Sequence, residues 1–396
     1  MPETIRDLST EQMVINMGPS HPVTHGTVKF LATLDGENIV DLKVDIGYLH
    51  RGFEKMCESG TWQQVIPYTD RLNYVSPLIN NVGYALAVEK LIGIEVTERC
   101  KYIRVIASEL ARIADHLTNV AAGAMEVGAM TAFLYFVEAR ELVWDLIEAL
   151  CGARVTANYV RIGGVKNDLP DDFAKRTHEV FKRCHELWAD VDKLLTHNRI
   201  FIDRLRDVAP MTGEEAIALG FTGPCLRATG VPYDVRKAHP YLVYDRLDFE
   251  VPIGETGDNF DKYLVRMEEL KQSMRIVEQA LNRIPSGPVN LDMPKYRWQS
   301  KDDIYNRADS LIFHFKTVID GIKPPVGEVY LAVEGGNGEL GFYLVSDGSG
   351  KPYKCRVRPP CFPLTAAMPR MMKGRLIADI VPTFDMINMI GGECDR

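Results

Sequence analysis

The chain has no Cys-x-x-Cys pair. Its eight cysteines (Cys57, Cys100, Cys151, Cys184, Cys225, Cys355, Cys361 and Cys394) are scattered, and the closest are Cys355 and Cys361. That spread excludes a disulfide framework or a zinc ribbon, and unpaired thiols suit a reducing cytoplasm. No cluster of Lys and Arg appears, and the net charge is −8. Nucleic-acid binding needs a basic stripe, so no nucleic-acid partner is expected. The nearest basic run, Tyr353-Lys354-Cys355-Arg356-Val357-Arg358, alternates as a solvated strand face does. The first residues, Met1-Pro2-Glu3-Thr4-Ile5-Arg6-Asp7, lack the basic and apolar character of a secretion signal. Repeats, low-complexity runs and flexible linkers are also missing. One continuous domain over 1–396 is therefore expected, with an N-terminal β region (1–50), a helical core (51–320) and a C-terminal β hairpin and tail (321–396).

Charge is scarce in one place. From Leu117 to Val137 the only charged side chain is Glu126. The run is long enough for a membrane span, but a carboxylate near its middle costs about 3 kcal/mol on insertion scales. Gly123 and Gly128 flank Glu126. The segment reads instead as two buried helices meeting at a glycine-rich turn. Glu126 is then a carboxylate at a buried junction, where it must be hydrogen-bonded, paired or protonated.

Apolar periodicity supplies the other elements. Residues 12–17 and 28–46 alternate as strands around Asp35-Gly36, a favourable hairpin turn. A helix over 78–92 stops at Gly93. Thr97 caps a long helix whose Ile103, Ile106, Leu110, Ile113, Leu117 and Val120 recur every three or four residues. Another helix covers about 130–150 and stops at Gly152. A more charged helical region, about 171–206, carries His178, Cys184, His185 and His197, expected at the surface. An irregular stretch over 221–257 precedes a helix at 259–283. A helix near 302–320 leads to a hairpin whose strands hold Val329, Leu331 and Val333, then Phe342, Leu344 and Val345. The fold class is α+β, mainly α.

Gly336-Asn337-Gly338-Glu339-Leu340-Gly341 matches GxGxxG. A dinucleotide site requires a helix to begin there, because the pyrophosphate rests on helix amides. Phe342-Tyr343-Leu344-Val345 follows instead, and Asn337-Gly338 suits a two-residue hairpin turn. Nucleotide binding is rejected. More promising is Gly18-Pro19-Ser20-His21-Pro22-Val23-Thr24-His25-Gly26. The prolines forbid a helix there, so His21 and His25 lie on a tight loop that hands over to a strand. Scaffold-braced loops often carry chemistry, and histidine changes charge near neutral pH.

Four stretches together carry a resemblance: His21–Gly26; Gly47-Tyr48-Leu49-His50-Arg51-Gly52-Phe53-Glu54-Lys55; Asp70-Arg71-Leu72-Asn73-Tyr74; and Tyr159-Val160-Arg161-Ile162-Gly163-Gly164-Val165. They resemble the hydrogenase-like large subunit of respiratory complex I, the proton-translocating NADH:quinone oxidoreductase, known in bacteria as the D subunit. The likeness continues through Gly341–Gly348 to Asp395-Arg396 and covers nearly the whole chain. It resembles the form not fused to the neighbouring C subunit.

The resemblance implies a fold like that of the nickel–iron hydrogenase large subunit. There, four cysteines in two CxxC pairs hold the metal. The corresponding positions here are Asn73 and Ser76, then Ile390 and Glu393. None has a thiol, and nickel needs thiolates, so no metal site is expected. The cavity is freed for a quinone headgroup, with Ser76 and Ile390 lining it. His25 and Tyr74 are implied as hydrogen-bond donors to the quinone. Glu126 stands at a position usually Asp, as partner of the loop histidine. Arg51 and Arg71 match arginines beside a [4Fe-4S] cluster held by the partner B subunit. A histidine near that cluster in many relatives is here Thr156. The implied partners are the B and C subunits, the H subunit of the membrane arm and other peripheral-arm subunits, on the cytoplasmic side of a bacterial inner membrane. The other readings are a large subunit of a membrane-bound hydrogenase, which the missing cysteines oppose, and a scaffold without catalytic residues.

Overall fold

The expected N-terminal hairpin forms, and a preceding strand joins it. A computed structural model describes residues 12–21, 27–292 and 299–396. Strands β1 (Met13–Met17), β2 (Lys29–Asp35) and β3 (Asn38–Asp45) make an antiparallel sheet in that order. Gly36 turns the chain at φ 60°, a conformation that glycine adopts without strain. The sheet buries Phe30, Ala32 and Leu34, alternate positions of β2, with Ile39 and Leu42 of β3, whose spacing of three goes with the register shift between Thr33 and Leu34.

Two short helices, α1 (Phe53–Ser59) and α2 (Ile66–Thr69), lead into α3 (Pro77–Ile92), α4 (Glu98–Glu126) and α5 (Met130–Cys151). Gly93 and Gly152 stop α3 and α5 in the left-handed conformation, and the Thr97 hydroxyl accepts the Cys100 N–H at the start of α4. Residues 117–137 are indeed two helices joined at a glycine, Gly128 at φ 90°. Among the described residues no helix is long and apolar enough to cross a membrane.

After a small hairpin, β4 (Val160–Arg161) with β5 (Gly164–Val165), come α6 (Phe173–Val191) and α7 (Arg199–Leu205). Cys184 corrects the surface expectation for its region. It is fully buried, its thiol facing the Ala139 carbonyl of α5. It belongs to the stripe Phe173, Thr177, Phe181, Cys184, Trp188 and Val191, which follows helical spacing and packs inward. His178, His185 and His197 are exposed as expected.

The irregular stretch holds only short helices, α8 (Gly213–Ala218), α9 (Gly223–Arg227) and α10 (Val235–Ala238), before α11 (Asn259–Arg283). The helix expected near 302–320 is two, α12 (Lys301–Asn306) and α13 (Ala308–Asp320). Arg307, at φ −131° and ψ 121°, breaks it. The hairpin that follows gains a third strand: β6 (Gly327–Glu334), β7 (Glu339–Ser346) and β8 (Lys354–Arg358). β8 is the basic run, but Cys355 and Val357 face the core. The GxGxxG stretch is the β6–β7 turn. Its two central residues are Gly336-Asn337, because Gly335 and Gly338 exchange backbone hydrogen bonds. The expected Asn337-Gly338 turn is thus shifted by one residue. The tail is α14 (Cys361–Ala366), α15 (Met368–Met372), α16 (Ile380–Met386) and α17 (Gly391–Cys394).

Helix α4 is the axis of the molecule, packed on α3, α5, α11 and α16. It is buried on every side, so its polar residues must be satisfied internally. Arg104 makes a bidentate pair with Glu89 of α3 at 2.6 and 2.8 Å. Lower on the helix, Glu109 faces Arg112 and Arg236 at 3.3 and 3.1 Å, and accepts the Tyr244 hydroxyl at 2.6 Å. Asp234 pairs with Arg236 at 2.7 Å, and Arg227 bridges Glu334 at 2.8 Å and Glu269 of α11 at 2.6 Å. His116 closes the array on Glu269 at 2.7 Å. Four carboxylates and three guanidiniums thus fix the register of α4, α11, the irregular stretch and β6.

Candidate functional site

The site forms where the C-terminus returns to the segment before α3. Gly392 lies so close to this segment that a Cβ there would stand 2.4 Å from the Arg71 carbonyl and 2.8 Å from that of Leu72. Only glycine permits the approach. Asp395 clamps the tail, accepting the Gly47 and Leu49 N–H groups at 2.9 and 2.8 Å. The Gly47–Lys55 stretch therefore holds the end of the chain. The result brings Asn73 and Ser76 beside Ile390 and Glu393, residues more than three hundred positions apart.

Between them lies a carboxylate that the sequence reading missed. Asp115, fully buried on α4, accepts from Asn73 Nδ2 at 2.8 Å, Ser76 Oγ at 2.7 Å and Asn388 Nδ2 at 2.9 Å. Gly336 packs against it, leaving no room for a side chain. From the same turn, Asn337 donates to the Asn388 carbonyl at 3.0 Å and to Cys361 Sγ at 3.1 Å. The Cys361 N–H in turn reaches Glu393 Oε1 at 2.9 Å. Asn388 holds φ 52°, an uncommon conformation that asparagine tolerates best among residues other than glycine. A readable signal existed for Asp115: a charge within the apolar periodicity of α4. None existed for Asn337, Asn388 or Cys361, which converge only through tertiary folding.

Tyr74 stands beside these residues, 37% exposed. Burial first, then the neighbouring Cys361 and Asp115, push its phenol up, so the hydroxyl stays protonated and able to donate. Ser76 and Ile390 are buried, and Ile390 packs with Val75, Cys361 and Cys394. Burial also pushes the Glu393 carboxyl up to about 7, with Asp115 adding to the rise against the Cys361 N–H that lowers it.

Two expected residues lie apart. Arg51 and Arg71 are exposed and adjacent: Arg51 donates to the Arg71 carbonyl, and Arg71 donates to the Pro67 carbonyl at 2.7 Å. Arg71 also pairs with the buried Asp70 at 3.8 Å. Next to them Asp70 accepts from Asn81 and Asn158, and burial pushes it up to about 6. A cavity of about 450 Å³ opens on this side, lined by Gln63, Pro67, Asn158 and Arg161.

Glu126 differs from expectation. It is half-buried on the last turn of α4, not sealed at the helix junction. The turn at Gly128 is exposed, which leaves that end of the helix open to solvent. Eleven residues separate it from Asp115, about 16 Å along the axis, so the fold does not bring it into the Asp115 pocket. His25 lies outside the described residues, and His21 is exposed. Among the described residues no group of three or more His, Cys, Asp or Glu could hold a metal ion. The donor set at 73, 76, 390 and 393 offers amide, hydroxyl, alkyl and carboxyl groups, which do not fit nickel.

Known proteins decide the family. The description "Respiratory-chain NADH dehydrogenase, 49 Kd subunit" matches residues 126–396. The D 1 subunit of NADH-quinone oxidoreductase from Anaeromyxobacter dehalogenans (strain 2CP-C) is 54% identical over 394 residues, covering 100% of this chain and 92% of the relative. The chain belongs to the family of NADH-quinone oxidoreductase D subunits. Within that family, the D 1 subunit of Sorangium cellulosum (strain So ce56) is 54% identical over 391 residues, covering 98% of this chain and 97% of its own. The C/D subunit of Bdellovibrio bacteriovorus is 47% identical over 389 residues, 98% of this chain and 70% of that longer protein. Membership of the complex I oxidoreductase family replaces the hydrogenase reading, and the mainly helical fold agrees with the resemblance.

Proposed function

We propose that this chain forms the quinone-reducing site of a complex I, with Tyr74 as hydrogen-bond and proton donor and Ser76 and Ile390 lining the headgroup pocket. The observation that carries this reading is the junction of residues 71–76 with α17, where positions 73, 76, 390 and 393 carry no thiol, closed behind by Asp115. A quinone accepts two electrons and two protons. This chain cannot ligate an iron–sulfur cluster, because its cysteines are buried and dispersed. Electrons therefore come from a [4Fe-4S] cluster on the partner B subunit. Arg51 and Arg71, exposed side by side, form the positive surface that faces it and favours its reduced state. His25 is the second donor to the quinone, and Glu126 its partner. Glu126 is half-buried at a helix end open to solvent.

Docking to other subunits is supported by α13. It buries Ser310 and Thr317 and exposes Leu311, Ile312, Phe315, Val318 and Ile319. A helix turned inside out in this way fits a chain covered by partners, which we take to be the B, C and H subunits and the rest of the peripheral arm. The chain then sits on the cytoplasmic face of the membrane. The test is Tyr74→Phe, assayed with quinone and with ferricyanide as acceptors.

Thr156 yields a second expectation. It is half-buried at φ 51°, and its hydroxyl cannot take up a proton when the neighbouring cluster is reduced. The cluster potential should be lower than in histidine-bearing relatives. Between about pH 7 and 8, where Asp70 is already ionised, its slope should fall well short of the ~59 mV per pH unit of a one-electron, one-proton couple. Redox titration followed by electron paramagnetic resonance measures this, and a full slope in that range contradicts it.

A further inference from the structure

Strand β6 is an edge of its sheet, and its outer side is open. The turn after it fixes the phase of the ladder. Gly335 and Gly338 exchange backbone hydrogen bonds, so Val329, Leu331 and Val333 bond to β7, while Glu328, Tyr330, Ala332 and Glu334 turn their N–H and C=O groups outward. Glu334 is satisfied: its N–H donates to the Tyr241 hydroxyl at 3.2 Å, and its carbonyl accepts from Arg112 at 2.6 Å. The Tyr330 carbonyl has only the exposed Lys90 ammonium, at 3.3 Å. The Tyr330 N–H and both backbone groups of Glu328 and Ala332 have no partner among the described residues. A cavity of about 590 Å³ lies here, between β6 and residues 233–241. The opposite edge strand, β8, is covered instead: Glu54 of α1 accepts the Val357 N–H at 3.0 Å.

Opposite charges flank this edge on its two faces. On one face Tyr330 lies across Gly341, where any side chain would meet its ring, and donates to Glu339 at 2.8 Å. Tyr233 donates to the same carboxylate at 2.9 Å. Glu339 thus has two phenols and, among the described residues, no ion pair. On the other face α3 packs against Val333 and Phe342 and carries Lys90.

We propose that β6 takes an extended segment of another subunit as a further strand of this sheet, with a Lys or Arg of that segment on Glu339 and an adjacent Asp or Glu on Lys90. Unpaired backbone donors and acceptors at every second residue select an extended chain, because a helix spends its own backbone groups internally. Successive side chains of a strand point to opposite faces, so two neighbouring residues of opposite charge meet Glu339 and Lys90. Tyr241 closes the open stretch at Glu334, so the added strand pairs with Glu328 to Ala332 and stops there. An uncovered edge of this kind is a site of unwanted pairing, which a docked strand removes. Family membership supplies the other subunits, and the quinone-site reading is not needed.

The experiment is residue-resolved amide hydrogen exchange in the assembled complex. The outward amides of Tyr330 and Ala332 should exchange as slowly as the inward amides of Leu331 and Val333, where an open edge would exchange about a hundredfold faster or more. Fast outward amides beside slow inward ones overturn the proposal. A benzophenone amino acid in place of the exposed Glu328 identifies the cover. It should join one other subunit, at an extended segment with adjacent residues of opposite charge. Attachment to a helix, or to a second copy of this chain, overturns the proposal. Glu339→Gln should speed exchange at Tyr330 and Ala332 by about tenfold and leave Leu331 and Val333 unchanged. Lys90→Gln carries the same expectation and decides the matter if Glu339→Gln does not assemble. Wild-type exchange at Tyr330 and Ala332 in the assembled variant overturns the assigned charge pairing.

Discussion

Replacing Tyr74 by Phe should lower quinone reduction by about a hundredfold or more while sparing ferricyanide reduction. The substitution keeps the ring and its packing and removes one hydroxyl. General-acid assistance is worth about 10²–10⁴ in rate, and a lost donor to a developing oxyanion costs a similar amount. Tyr74 is well placed for such a loss to be specific. It is only partly exposed, at 37%, and no hydrogen bond from the described residues to its hydroxyl is broken by the change. Its hydroxyl is held protonated by burial and by the nearby Cys361 and Asp115. Ferricyanide takes electrons upstream of quinone, so that activity reports assembly and electron entry. Quinone activity lost with ferricyanide activity kept is the expected outcome. Both kept would return the chain to the scaffold reading.

The largest effect on stability should come from Glu269→Ala. Glu269 is buried on α11 and joins two elements at once, Arg227 at 2.6 Å and His116 at 2.7 Å. Burial alone would raise its carboxyl, yet Arg227 and then His116 hold it well below the usual range. Removing Glu269 takes one of the two close counter-charges from Arg227, leaving Glu334 at 2.8 Å, and strips the buried His116 of its partner; breaking a buried pair costs about 3–5 kcal/mol. That is a large share of a typical folding free energy of about 5–15 kcal/mol. The expected observation is little of the subunit in membranes and both activities lost together. Glu269→Gln should be milder, because one oxygen still accepts a hydrogen bond. Normal abundance of the Ala variant would mean that the array contributes much less than its burial suggests.

The contrast between these two residues shows what was legible. Tyr74 was readable because a motif surrounds it, Asp70-Arg71-Leu72-Asn73-Tyr74, and motifs survive in one dimension. Glu269 was not, since α11 reads as an ordinary helix with many charges. A carboxylate facing solvent and one facing Arg227 have the same letter, and only the packing of α4 against α11 separates them. Cys184 shows the same limit in reverse. Its charged neighbours suggested a surface, while helical spacing from Phe181 and Trp188 assigned it to the core. Glu126 was placed correctly at a helix junction and wrongly as sealed within it, because sequence fixes the turn but not what covers it. The one-residue shift at Gly336-Asn337 had the largest consequence. It turns Asn337 inward to Cys361 and Asn388 and makes it part of the site.

By itself, the sequence determined the long helices α3, α4, α5 and α11 and their ends, the two hairpins, the absence of thiols at the four metal positions and the family. All of these follow from local rules: apolar period, the φ preferences of glycine and proline, and residue identity at motif positions. Tertiary structure alone decided the pocket. Asp115, Asn337, Cys361, Asn388 and Glu393 come from four separate parts of the chain, and no local rule joins them. They meet because Gly392 lets α17 lie on the 71–72 backbone and Asp395 ties the tail to residues 47–49. A carboxylate's chemistry is set by what surrounds it, and those surroundings exist only once the chain has closed on itself.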